Sequence, residues 1–243
     1  MSQSNAILIT AGIIVGLIAF AAIVALISMK VMGAVGRKRS AALKKSAALS
    51  GFAFTEKPDG SLISGLKPVF DLFNKGDRQH EFRNYMEGEI DGHHAAIFDY
   101  GYTNYYHNTS QNINHTVCLL DMKAPLPSFR LKSKGLLEKV RDVGGFPDID
   151  PGNDPEFSKH CWLKGLDEAA VKEVFGPGTA MYFRDGEALH NVVIEADGQR
   201  LMYYHIGHVQ PEGMNDFLFK AGEVSHLTFR TSPTHFLTIF PPA

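Results

Sequence analysis

The chain has 243 residues, 44% of them hydrophobic and 21% charged, with 24 Lys and Arg against 26 Asp and Glu for a formal net charge of −2. That hydrophobic content excludes a disordered polyelectrolyte, and two cysteines are too few for a disulfide-stapled mini-protein. The near balance of charge hides an asymmetry: six basic residues precede the first acidic one, Glu56, and beyond Lys45 there are 18 basic residues against 26 acidic, a net of −8, which argues against nucleic acid as the main partner.

Residues 6–29 contain no charged side chain, and their only hydroxyls are Thr10 and Ser28. As a helix, 24 residues reach about 36 Å against a hydrocarbon core of about 30 Å, so the segment is long enough to cross a bilayer with some tilt. A cleavable signal peptide would show a basic leader and a shorter apolar core, whereas residues 1–5 here carry no charge. The segment therefore reads as an uncleaved anchor, with a short external tail at 1–5 and a transmembrane helix at 6–32. Lys30, Arg37, Lys38, Arg39, Lys44 and Lys45 follow it as a basic neck at 33–50, suited to anionic headgroups. Basic flanks stay on the cytoplasmic side, so the expected topology is N-terminus out with the body in the cytosol. Gly12 and Gly16 form a small-xxx-small face, which permits close approach of a second span and so homo-oligomers through the membrane helix.

Past Gly51 the expectation is one α+β domain over 51–230, built as a mainly antiparallel sheet with packed helices, and a C-terminal tail at 231–243. Residues 68–76 read as a short helix opened by Pro68 and stopped by Gly76. A two-residue period then puts Phe82, Met86 and Ile90 on one strand face, and Asp91-Gly92 signals a hairpin turn. The returning strand, 95–103, carries Phe98, Tyr100 and Tyr102 on one face. Residues 104–114 read as a projecting loop before a strand at 115–121, and 129–132 as a further strand. Residues 136–143 read as helical and 157–165 as extended. Asp167 reads as the N-cap of a helix that presents Ala170, Val171, Val174 and Phe175 and stops at Gly176-Pro177. Residues 191–196 and 200–206 flank Asp197-Gly198 as a hairpin, and Pro211 opens a last helix with Phe217, Leu218, Ala221 and Val224 at helical spacing.

Eleven histidines raise the question of metal, and the spacings answer against it. His93 and His94 are adjacent and His205 and His208 are three apart, so neither pair can chelate from a regular strand. Residues 148–156 are rich in Asp, Gly and Pro but fail the calcium-loop pattern, with Gly152 at the fifth position and Lys159 at the twelfth. They read as turn residues. No P-loop, dinucleotide fingerprint or nucleophile elbow occurs, and no metal or cofactor is expected. Cys118 and Cys161 read as buried thiols in a reducing cytosol, or as a disulfide if the topology were reversed. Phe98, Tyr100 and Tyr102 suit sheet packing, whereas Tyr105, Tyr106, His107 and Asn108 fall in the expected loop and read as a partner-binding tip.

The order Leu72-Phe-Asn-x-Gly76, Met86-x-Gly88, Phe98-Asp-Tyr-x-Tyr-Thr103, His115-Thr-Val117, Asp148-Ile-Asp150, Pro155-Glu-Phe157 and Leu166-Asp-Glu168 resembles uncharacterised bacterial single-pass inner-membrane proteins with a cytoplasmic domain of unknown function. The resemblance spans roughly residues 50–228 and implies class and location, with no catalytic residue to carry over. Two function classes stand at this point. One is a membrane-anchored cytoplasmic binding or scaffold module, with the lipid bilayer and a protein as partners. The other is a membrane-tethered enzyme, a hydrolase for example, with a scattered site drawn from Asp99, Tyr100, His205 and His208. A pocket that unites two of those side chains would favour the enzyme.

Overall fold

The computed structural model describes residues 3–76, 78–106, 109–136, 146–152 and 154–229, with backbone alone at 3–15, 29, 32, 106 and 229. The chain divides into two compact units, Met1–Lys45 and Ser46–Ala243. The first is one helix, α1 (Gln3–Leu49), whose last turn belongs to the second unit. From Gly16 to Leu49 this helix is long and apolar enough to cross a membrane. Leu17, Ile18, Phe20, Ile23, Val24, Leu26 and Ile27 are all exposed along it. Lys30, Arg37, Lys38, Lys44 and Lys45 are exposed on its later turns, and Arg39 is half-buried. In water such a row of bare aliphatic side chains would be unfavourable by about 25 cal/mol per Å², and lipid removes that cost.

The second unit is an antiparallel sheet with helices packed on it, the expected α+β class. Its elements are β1 (Ala53–Thr55), α2 (Ser61–Leu66), a 3-10 turn at Asp71–Asn74, β2 (Arg78–Ile90), β3 (His93–Tyr106), β4 (Thr109–Ser133), α3 (Pro155–His160), β5 (Cys161–Gly165), α4 (Glu168–Val174), α5 (Pro177–Phe183), β6 (Val192–Ile206) and α6 (Met214–Phe229). Asp91 and Gly92 both have positive φ, 51° and 74°, which is the left-handed pair that a two-residue hairpin turn requires.

β4 and β6 are each folded back on themselves. Fifteen extended residues would separate the ends of β6 by about 50 Å. Instead the Ile206 amide donates to the Asn191 carbonyl at 2.7 Å, and the Tyr204 hydroxyl donates to Glu195 at 3.1 Å. The strand therefore reverses around Asp197-Gly198, as the hairpin reading expects. β4 wraps around that hairpin. Its first arm pairs 116–121 with 200–205 and its second pairs 129–132 with 193–196, and Ser128 hydrogen-bonds Asp197 at the tip. In space the order is β1, β2, β3, first arm of β4, return arm of β6, outgoing arm of β6, second arm of β4, β5. The central arms are buried on both faces, which accounts for the uninterrupted burial at 115–120, 129–132, 192–196 and 201–204.

One sheet face carries Phe98, Tyr100, Tyr102, Val117, Met202 and Tyr204 against α2 and the 3-10 turn, through Leu66, Phe70, Leu72 and Phe73. The other carries the later helices. Phe217 of α6 meets Tyr203 at 5.1 Å, Phe175 meets Phe129 at 5.1 Å, and Val171 fills the space over Gly165. α5 is tied to α6 by Thr179 donating to the Leu227 carbonyl and Tyr182 donating to Glu223.

Several expectations are corrected. Phe82 and Met86 do not share a face: the register shifts between Arg83 and Met86, where Asn84 has φ 54°, so Phe82 packs on Phe98 while Met86 pairs with Ile97 on the opposite side. Residues 104–106 and 109–114 are not a loop, because β3 and β4 stay paired out to Tyr106 and Thr109. Of residues 157–165, read as extended, 161–165 form β5 but 157–160 are helical, because Asp154 accepts from the Glu156 and Phe157 amides and Pro155 sits at the first turn of α3. Pro177 starts α5 as well as ending α4, and Asp167 caps α4 through the Ala170 amide as expected. The helical reading of 136–143 falls outside the described residues except at Leu136, the end of a 3-10 turn.

Candidate functional site

Of the four enzyme candidates, Asp99 and His205 stand on one sheet face on either side of Thr116, their common cross-strand neighbour, and Tyr100 does not join them. Asp99 accepts from Asn84 at 2.7 Å and from Thr116 at 3.1 Å, whose hydroxyl oxygen in turn accepts the Val209 amide at 3.0 Å. Tyr100 lies on the opposite sheet face, 2.7 Å from His80 Nδ1. Burial raises its pKa, which keeps the phenol neutral. His205 Nδ1 contacts the Gly207 carbonyl at 3.1 Å, and His208 is half-buried nearby in the chain. No group of three His, Cys, Asp or Glu among the described residues could hold a metal ion. The Asp148–Glu156 segment shows turn chemistry: Asp150 accepts from the Gly152 amide and the Ser158 hydroxyl, Asp154 caps α3, and Asp148 accepts from Trp162. Both cysteines are buried and free, and burial pushes each thiol up to about 12. Four strand spacings lie between them, roughly 19 Å, so they cannot form the alternative disulfide.

Two polar clusters that the sequence pattern did not reveal sit on the face covered by α2. In the first, buried Arg130 reaches Glu195 at 3.0 Å and Asp71 at 3.1 Å, while Tyr204 donates to the other oxygen of Glu195. Burial alone would lower the Arg130 pKa, but Glu195, Tyr204 and Asp71 outweigh it and raise it. In the second, His115 stacks on Tyr102 at 5.7 Å and meets the edge of Tyr204 at 5.5 Å. Its ring nitrogens make no well-formed hydrogen bond among the described residues. Burial first, then Lys75, pushes its pKa down to about 3. Both clusters lie in the packed interior, as pins between layers. An open polar cleft of about 440 Å³ occurs at the β6 turn, lined by Val69, Asp121, Met122, Asp197, Gln199 and Arg200, and it contains none of the four enzyme candidates.

At the edge of the same face, His94 bridges Glu87 at 2.9 Å and Asp121 at 3.0 Å. The hydrogen bond from Glu87 raises its pKa, burial opposes, and Asp121 adds to the rise. Because the folded value lies above the unfolded one, this stabilisation is full below about pH 6.5 and is lost as pH rises through the folded pKa. A His94→Gln variant should lose under about 1 kcal/mol at pH 6, since the ring is half exposed, and should match the parent at pH 9. Thermal melts at the two pH values, in low and high salt, would show it, and an equal loss at both would remove the ionic account.

Of the expected partner-binding residues, Tyr105 is 48% exposed on β3, Tyr106 ends that strand, and His107 and Asn108 lie outside the described residues. The tip is therefore the end of a three-stranded β-arm made of 78–82, 101–106 and 109–114. On one face of the arm Tyr105 stands opposite Ser110, Thr103 opposite Asn112, and Gly101 opposite Asn114. The Thr103 hydroxyl lies 2.9 Å from Asn112 Oδ1 and 3.3 Å from Gln79 Oε1. A Cβ on Gly101 would lie 2.7 Å from Asn114 Oδ1, so glycine makes room for that amide.

The fold has a solved counterpart. The crystal structure of the mycobacterial trehalose monomycolate transport factor A, TtfA, superposes with a TM-score of 0.56 at 12% identity, over 79% of this chain and 96% of that one. At that identity the likeness is one of fold. No protein-family model and no curated protein sequence matches the chain.

Proposed function

We infer that the protein is a non-catalytic binding or scaffold module tethered to a bacterial inner membrane by α1, with its sheet domain in the cytosol. The observation that carries this is the helix itself: exposed aliphatic side chains from Leu17 to Ile27, then a run of exposed lysines and arginines. The body supports a module rather than an enzyme, because Asp99 and Tyr100 are buried and engaged by neighbouring side chains and the open cleft at the β6 turn is lined by none of the four enzyme candidates. A fold counterpart that is a transport factor is in keeping with a domain that serves a membrane process by holding partners. The β-arm around Tyr105 is the surface through which this module would bind.

Two measurements test the reading. Reporters fused after residue 243 should show a cytoplasmic carboxyl end, and the protein should resist alkaline extraction from membranes. A periplasmic reporter or a soluble product overturns it. Affinity purification in mild detergent, comparing the parent with a Tyr105, Tyr106 and His107 triple alanine variant, should lose a co-purifying component only in the variant.

A further inference from the structure

We propose that the cleft at the turn of β6 binds a small zwitterion, a molecule that carries a primary ammonium and an anionic oxygen group a few bonds apart. Free α-amino acids and the ethanolamine phosphate headgroup of a lipid share that chemistry. The inference goes beyond the module reading and uses a surface separate from the β-arm.

The site begins with an ion pair that does not form. Asp121 and Arg200 stand directly opposite each other in the register of β4 and β6. Opposite charges so placed have Cβ atoms about 5 Å apart and ordinarily attract across the strand pair. Here the Asp121 carboxylate is taken by His94, which lies 3.0 Å from its Oδ2 while the other ring nitrogen meets Glu87 at 2.9 Å. Arg200 is half-buried and makes no hydrogen bond or ion pair among the described residues. At the start of the turn Asp197 accepts from Ser128 and likewise meets no cation among them. A guanidinium and a carboxylate, each without a counter-ion, therefore line one cleft of about 440 Å³, on either side of Gly198 and Gln199.

Charge selects the ligand. An anion alone would dock on Arg200 but face Asp197 and Asp121, and a cation alone would face Arg200. A neutral ligand would take water from these charges and leave them unpaired. A molecule with both signs satisfies each. Its anionic oxygens take the parallel N–H donors of the Arg200 fork, and its ammonium donates to Asp197 and to Asp121 Oδ1, the oxygen that His94 does not hold. Lys123, the next cation along β4, does not fill that place, because its Nζ lies at the Gly92 turn, 3.5 Å from where a Cβ on Gly92 would stand.

Shape agrees. Small-molecule sites run from about 300 to 1,000 Å³ and are mostly apolar and enclosing. This cleft has the volume but is open, and its walls are polar apart from Val69 and Met122. It can grip one polar end of a ligand and leave the remainder in solvent, as suits a headgroup or the backbone end of an amino acid.

The test is calorimetric titration of the full-length protein, held in a nonionic detergent, with glycerophosphoethanolamine and separately with L-alanine. Saturable binding of at least one is expected, and the tighter of the two names the source. Arg200→Gln and Asp197→Asn should each weaken it about tenfold, with thermal melts unchanged, since neither charge has an ionic partner to lose. Glycerophosphate, which lacks the ammonium, and ethanolamine, which lacks the anion, should each bind about tenfold more weakly than the zwitterion. Absence of binding by both zwitterions, equal binding by parent and Arg200→Gln, or equal binding of either half-molecule overturns the proposal. If Arg200→Gln melts early, Asp197→Asn, which keeps an acceptor for Ser128, decides alone. Failure here leaves the reporter and co-purification tests of the module untouched, and their failure leaves this one.

Discussion

Glu195→Ala is expected to destabilise the folded domain by about 3–5 kcal/mol. The reason is what it leaves behind. Arg130 is buried, its guanidinium cannot shed its charge, and Asp71, at 3.1 Å, is left to face it without Glu195. Tyr204, fully buried, loses the acceptor of its hydroxyl in the same step. The double variant Arg130→Met with Glu195→Leu should recover most of the loss, because it removes both charges and keeps the volume. Urea unfolding of the full-length protein in detergent, followed by fluorescence of the single tryptophan, Trp162, reads this from the neighbouring strand β5. If the double variant is no more stable than the single one, the loss is one of packing and the buried-charge account is wrong.

That pin is also where pattern reading from the sequence stops. Arg130 and Lys132 alternate with Phe129 and Leu131, which is the signature of a strand with one wet face. Both faces are in fact covered, because β4 lies inside the sheet and not at its margin, and only the pairing of 129–132 with 193–196 reveals it. Turns were legible because their chemistry is local: Asp91-Gly92 and Asp197-Gly198 need a left-handed glycine whatever surrounds them. The α4 cap at Asp167 was legible for the same reason. Asn84 was not, since a bulge changes the alternation without changing composition, and the six-residue α3 was masked by a run of residues equally at home in strands. The same limit applies to the arm. Residues 104–114, mostly polar and without hydrophobic alternation, resemble a loop, yet 104–106 and 109–114 stay paired because the β3 and β4 ladder continues outward from a well-packed base at Phe98 and Val117.

Packing also turns a residue of no visible pattern into the acid-sensitive element of the domain. His115 sits neutral between Tyr102 and Tyr204, with burial holding its pKa near 3 and Lys75, His208 and His205 all opposing a further positive charge. The carbonyl of His205, which favours the protonated form, is outweighed. In the unfolded chain a histidine takes up its proton near pH 6.5, so between about pH 6.5 and 3 the unfolded state binds the extra proton and stability falls as pH falls. Between pH 7 and pH 5 the loss should be about 2 kcal/mol, before most carboxylates begin to titrate. His94 works in the opposite direction in the same window, so the measurement is the difference between parent and His115→Leu, in which the His94 contribution cancels. The leucine variant removes the titrating ring and keeps an apolar side chain between the two tyrosines, and its unfolding free energy should be flatter than the parent's by that same 2 kcal/mol. Parallel curves for the two proteins would mean that His115 is charged in the folded domain, and that the Tyr102 and Tyr204 rings form a cation site rather than an apolar wall.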